Sequence, residues 1–198
     1  MKTKFFSIIT ILAVILGFTA TANASSLKDA YTVLSDINAI NKIEVHGNVE
    51  LYISDAATDQ VKVYDNYYSH NAFVQNKNGV LSIASYNNEK LVVWVSANDL
   101  RSVSAFDNAQ VKSFGNISKI EFNIDLHDNA SAKLNMDAFN ASVIVRDNAK
   151  ADLTGSANQL NINRDIESNV KSNNFAAAHR TENRVSSASD INTESFGM

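Results

Sequence analysis

The 198-residue sequence predicts an all-β protein built as one right-handed parallel β-solenoid, β-helix-like, with a strand cap at its N-terminal end. Three observations lead there. The triplet Asp-Asn-Ala recurs at Asp107-Asn108-Ala109, Asp128-Asn129-Ala130 and Asp147-Asn148-Ala149, at spacings of 21 and 19 residues. Apolar and polar residues alternate through most of the chain, the period of a strand with one buried face. No segment beyond the N-terminal apolar run shows helical periodicity. A repeat near 20 residues suits turns of chain stacked on one another. An antiparallel sandwich would also alternate, but it gives less reason for one triplet to recur in one phase.

The first element, residues 1–24, reads as a secretory signal peptide. Lys2 and Lys4 form a basic start, an apolar run extends from Phe5 to Phe18, and Ala22-Asn23-Ala24 supplies a small-residue cleavage site. The run is shorter than the roughly 20 residues a spanning helix needs. The expected mature chain starts at Ser25. Loss of Lys2 and Lys4 leaves 15 basic residues against 21 acidic ones, a net charge of −6. No basic patch stands out, which argues against nucleic acid as partner. With no cysteine and no proline, the fold must rest on packing and backbone ladders. Asn, present 26 times, tolerates left-handed backbone and fills the turn role.

Residues 25–36 form a leader to which no structure is assigned, and residues 37–198 form the domain. Ile43 and Val45, then Val49, Leu51 and Ile53, alternate around His46-Gly47-Asn48 as a bent strand pair. Val61 to Tyr64 and Ala72 to Val74 follow as short strands. Asn78-Gly79 marks a tight turn into Val80, Leu81 and Ile83. Leu91 to Val95 is a nearly continuous apolar strand, expected to be buried on both faces. From Leu100 onward, Leu126 to Leu134 aligns with Val145 to Leu153, which puts Leu126, Leu134, Val145, Leu153 and Ile162 in the core phase.

This layout resembles the GIN domain, described as the head domain of autotransporter adhesins and common in exported bacterial proteins of the Bacteroidetes type. The resemblance rests on Ile43 to Leu51, on Asn78 to Ile83, on Val92 to Val95 with Leu100 to Val103, and on the small-residue turns that follow. Here Asp-Asn-Ala stands where that family favours Ser-Gly-Ala. The resemblance implies a β-helical exported domain without established catalytic residues.

Candidate functional residues fall in two groups. Asp128 and Asp147, stacked about 4.8 Å apart on neighbouring strands, would either share a cation such as Ca²⁺ or cap their own bends; the chain lacks the Gly-x-Asp pattern of Ca²⁺-binding repeats, which favours capping. His127 and Arg146 precede these triplets and should project outward as a shallow surface for sugar or anionic groups. Tyr67 and Tyr68, in a cluster with Tyr64, Phe73 and Tyr86, suit carbohydrate or protein contact, or else cover the open end of the core. The four His residues have no zinc-ligand spacing, no nucleophile motif is present, and no cofactor is expected. The function expected is an exported, non-enzymatic binding or adhesion module of the cell envelope, periplasmic, surface-bound or extracellular, with surface polysaccharide or protein as partner. A polysaccharide-active enzyme on a β-helix scaffold and a structural or envelope-sensing protein are the alternatives. A flat face with exposed aromatics would favour binding, and a groove with convergent acids would favour the enzyme.

Overall fold

The computed structural model describes residues 31–34, 37, 39–64 and 72–186. The predicted signal peptide, most of the leader, and Tyr67 and Tyr68 lie outside the described residues. Among these residues every regular element is a strand. The N-terminal half holds β1 (Thr32–Val33), β2 (Lys42–Gly47), β3 (Val49–Asp55), β4 (Gln60–Val63), β5 (Phe73–Lys77), β6 (Val80–Ser85) and β7 (Leu91–Ala97). The C-terminal half holds β8 (Ser102–Ala105), β9 (Gln110–Ser113), β10 (Ile117–Leu126), β11 (Ser131–Val145), β12 (Lys150–Asp165) and β13 (Asn169–Val185). No helix of the described residues is long and apolar enough to cross a membrane.

All thirteen strands join one mixed sheet, curled into a half-barrel. This corrects the expected right-handed parallel β-solenoid. Parallel pairing does run through β10, β11, β12 and β13, and the triplets mark it. Elsewhere the rule fails in two ways. β1 with β4, β4 with β7, and β5 with β6 pair antiparallel. The Asn78-Gly79 turn, with φ of 52° and 82°, makes the last of these a tight hairpin. The strand order also departs from chain order, because β2 sits between β6 and β8, and β3 between β7 and β9. A recurring triplet in the C-terminal half reports only its own neighbours, so it could not carry the arrangement of the rest.

The core follows the alternation. Leu126, Leu134, Val145, Leu153 and Ile162 are each at most 1% exposed. They join Ile43, Val45, Leu51, Ile53, Leu81, Ile83 and Phe122 inside the curl. β11 and β12 are long enough to bend around this core. The N-terminal part of β11 pairs with β9 and the remainder with β10. Gly155 lies in β12 with φ +109°, and a Cβ there would fall 2.1 Å from the Met136 carbonyl oxygen. Only glycine lets the two backbones approach that closely. On the last strand Phe175 still joins the core and Val170 and Ala177 pack against it, but towards its C-terminal end charge replaces hydrocarbon. Arg180, Glu182 and Arg184 of β13 stand opposite Leu160, Ile162 and Arg164. Glu182 accepts from Arg164 at 2.8 Å and from Arg180 at 2.9 Å, which holds its carboxyl down at about 2.

The β7 run is not buried on both faces. Leu91, Val93 and Val95 enter the core, while Val92 and Trp94 are half-exposed on the outer face of the sheet.

Candidate functional site: a turn column and an aromatic outer face

Two surfaces gather the chemically capable side chains. The first is the column of turns that connects β2 to β3, β8 to β9, β10 to β11 and β11 to β12. Asp107, Asp128 and Asp147 each adopt left-handed backbone, with φ of 58°, 57° and 52°, and Gly47 holds the same place with φ +79°. Asp tolerates this region better than most residues because its short polar side chain bonds locally. Each of the three Asp turns is closed by a backbone bond three residues long, such as Ala130 N–H to the His127 carbonyl at 3.0 Å.

The carboxylates link these turns into a ladder. Gly47 N–H donates to Asp107 Oδ2 at 2.9 Å, Asp107 N–H to Asp128 Oδ2 at 3.0 Å, Asp128 N–H to Asp147 Oδ2 at 3.0 Å, and Asp147 N–H to Asp165 Oδ2 at 2.9 Å. Each Asp therefore satisfies the turn before its own rather than its own bend. No group of three or more His, Asp or Glu poised for a metal occurs among the described residues.

The residues preceding the triplets line the outside of this column. His46 stacks on Phe106 with ring centres 4.4 Å apart, and Phe106 stacks on His127 at 4.9 Å. His127 Nε2 lies 2.9 Å from Asp125 Oδ1, near enough for an ion pair but off the line of a good hydrogen bond. Arg146 is exposed one strand further on. His127, Asp128, Arg146 and Asp147 are thus brought together, with Phe106 and His46 added to the group. Of the aromatic cluster expected from the sequence, Tyr67 and Tyr68 lie outside the described residues. Tyr86 is 73% exposed beside the Gly47 turn, its hydroxyl 3.3 Å from Asp107 Oδ2. Tyr64 lies on the other surface.

That second surface is the outer face of β4, β7, β3 and β9. Trp94 is its centre. Tyr52 stacks against it at 4.6 Å with 21° between planes, Phe114 tilts against it at 4.9 Å, and Tyr64 lies 6.3 Å away with Tyr31 a further 5.4 Å on. Tyr31 and Phe114 are 46% and 61% exposed. Lys62 and Lys112 sit over the Tyr31 and Tyr52 rings at 5.3 and 5.5 Å, in cation–π range. Glu50 anchors the group, since its carboxylate takes Lys112 and accepts from the Tyr52 hydroxyl at 2.8 Å. The Lys112 hydrogen bond lowers the Glu50 pKa against the opposing effect of burial. The same carboxylate raises the pKa values of Tyr52 and Lys112.

Sequence reasoning missed Tyr31, Tyr52, Trp94, Phe114 and Lys112 as site residues. The available signal was weak: Tyr52 and Trp94 occupy the outward phase of strands whose inward phase is aliphatic. Beside these rings a shallow groove of about 340 Å³ runs over β9, β11, β12 and β13, and includes Lys112, Lys133, Lys150, Asp152 and Lys171.

Comparison with known proteins agrees with this architecture. No curated protein matches the chain by sequence. The structure of a "putative adhesin" from Bacteroides fragilis superposes with a TM-score of 0.67 at 12% identity, covering 79% of this chain and 77% of that one. A "putative lipid binding protein" from Parabacteroides distasonis gives 0.61 at 10% identity, covering 78% of each chain. A "putative adhesin" from Parabacteroides merdae gives 0.56 at 14%, covering 79% and 78%. At such identities the likeness is one of fold. The sequence pattern described as "putative auto-transporter adhesin, head GIN domain" matches residues 39–195, and the chain belongs to that family.

Proposed function

We propose that this protein is an exported, non-catalytic binding module that holds a ligand of the cell envelope or its surroundings against the outer face centred on Trp94. One observation supports this reading above others. Five aromatic rings, Tyr31, Tyr64, Trp94, Tyr52 and Phe114, lie side by side on the solvent side of a sheet whose other side already supplies the core. Aromatic area gathered on the solvent side is available to a partner, and rings with polar edges suit a wet interface. The family description and the adhesin-named structures point the same way. Export is supported by the basic start, the apolar run and the Ala22-Asn23-Ala24 site.

A polysaccharide hydrolase of the common kind would need two convergent carboxyl groups. The groove beside the rings brings Asp152 without a second acid among its lining residues. The His127, Arg146, Asp128 and Asp147 surface is a secondary candidate for anion contact, with Asp128 and Asp147 acting as its scaffold.

Trp94 is the only tryptophan in the chain, so its emission reports on this face alone. Titration with a panel of surface polysaccharides and envelope proteins should shift that emission for the true ligand class. In a pull-down with the same ligand, Trp94→Ala and Tyr52→Ala should each weaken capture at least about tenfold, or about 1.4 kcal/mol. Undiminished capture by both variants would overturn the aromatic face as the site. For export, N-terminal sequencing should read Ser25, and recovery of intact Met1 in a membrane pellet would overturn it.

A further inference from the structure

We infer that the ligand of this face is a linear acidic polysaccharide, bearing carboxylate or sulfate groups, laid across the strands from the aromatic rings onto the lysine groove. This rests on the aromatic-face reading above and specifies its ligand. The register carries the argument. Lys62 pairs with Trp94, Trp94 with Tyr52, and Tyr52 with Lys112. The same row continues from Lys112 to Lys133, to Asp152 and to Lys171. Seven strands therefore present one outward row, in which Trp94 and Tyr52 sit between Lys62 and Lys112 and the far end carries Lys133 and Lys171 on either side of Asp152. At about 4.8 Å per strand the row spans roughly 29 Å, a length suited to an extended chain rather than a compact solute.

Charge identifies the chain as acidic. The protein carries a net charge of −4, yet Lys112, Lys133, Lys150 and Lys171 collect around a groove that contains one carboxylate, Asp152. Lys112 is committed to Glu50. Lys133, Lys150 and Lys171 form no ion pair with the described residues, and Lys133, Lys150 and Lys171 are exposed. Three unpaired like charges on neighbouring strands repel one another, and a polyanion relieves that repulsion. A protein partner fits less well, because lysine is depleted from the desolvated centres of protein interfaces. A bilayer fits less well too. Tyr52 and Trp94 lie stacked and only partly exposed instead of standing out to enter an apolar phase.

The test uses the mature chain with polygalacturonate and with its fully methyl-esterified form, which keeps the backbone and removes the charge. Trp94 emission should report binding of the acid form at least about tenfold tighter than the ester, weakening as NaCl rises because bound counterions are released. A Lys133→Gln, Lys150→Gln, Lys171→Gln triple variant should lose at least about tenfold on the acid form with little change in its melt. Lys77→Gln, on the remote β5, should change nothing. Equal affinity for the two forms, or an unaffected triple variant, would overturn the inference while leaving the aromatic-face reading intact. Absence of any emission change with either form would overturn it as well, and the wider ligand panel would then decide the aromatic-face reading separately. Preference for phosphatidylglycerol vesicles over polygalacturonate would assign the lysines to a membrane surface and equally overturn it.

Discussion

The turn column and the outer row hold similar inventories of charged and aromatic groups, yet they differ in where those groups spend their interactions. In the column, Asp107, Asp128 and Asp147 each accept a backbone N–H from the turn before, and His46, Phe106 and His127 stack on one another. Along the row and beside it, Lys133, Lys171 and the neighbouring Lys150 are exposed and form no ion pair among the described residues, and Phe114 and Tyr31 remain open to solvent. Recurrence in sequence marked the first region, and unspent interaction marks the second. A repeated polar residue in a stacked β protein is first a candidate for holding the stack together. The residues that stay unsatisfied after the stack is built are better candidates for ligand contact.

Substitutions should separate the two regions by what they damage. The reference for a purely structural loss is Leu153→Ala, which empties a site 1% exposed and should cost about 2–5 kcal/mol in a urea melt. Lys150→Ala, three positions away on the outer side, should cost about 0.5 kcal/mol or less. Equal costs would break the inside–outside assignment. Asp128→Ala should come next, at about 1–3 kcal/mol, since it strands the Asp107 N–H and places alanine at positive φ. Asp128→Asn should retain most of that stability, because an amide oxygen can accept the same bond. If the alanine variant melts like the parent but loses ligand, the column is a binding site after all.

The charged end of the core gives a smaller effect, read by pH. Glu182 has its pKa lowered from 4.5 to about 2, first by Arg164 and then by Arg180. A carboxyl depressed on folding adds stability that is complete above 4.5 and is lost as pH falls towards 2. Because Arg180 and Arg184 are well exposed, the contribution should be about 1–2 kcal/mol. Glu182→Gln should flatten that part of the acid melt. The smallest expected effect is that of Ca²⁺: with Asp128 and Asp147 bonded to amides, millimolar Ca²⁺ should leave the melting temperature unchanged. A clear rise, abolished in the Asp128→Ala, Asp147→Ala double variant, would move the column into the ligand-binding class.

Local chemistry was legible in the sequence, and long-range pairing was not. Alternation placed Leu126, Leu134, Val145, Leu153 and Ile162 inside, because burial phase depends only on neighbours two residues apart. Asn78-Gly79 announced its hairpin for the same reason. The position of β2 between β6 and β8 has no local signature, and extending the triplet period across the chain gave the wrong architecture. The aromatic face suffered the same fate. Tyr52, Trp94 and Phe114 belong to different strands and meet only through the register of β3, β7 and β9. Phe106 next to His46 is equally a product of β2 pairing with β8.

The placement of β2 also governs the order in which the molecule can be completed. Lys42 pairs with Val80 on one side and with Ser102 on the other, so both ladders await residues synthesised later. A chain growing from its N-terminus leaves this strand with bare edges until β8 has emerged, and the same holds for β3, which needs β7 and β9. Folding must therefore be late and collective rather than progressive. Such pairing between distant segments is slow to find, and with no proline in the sequence this search, not peptide-bond isomerisation, sets the pace at which the sheet closes.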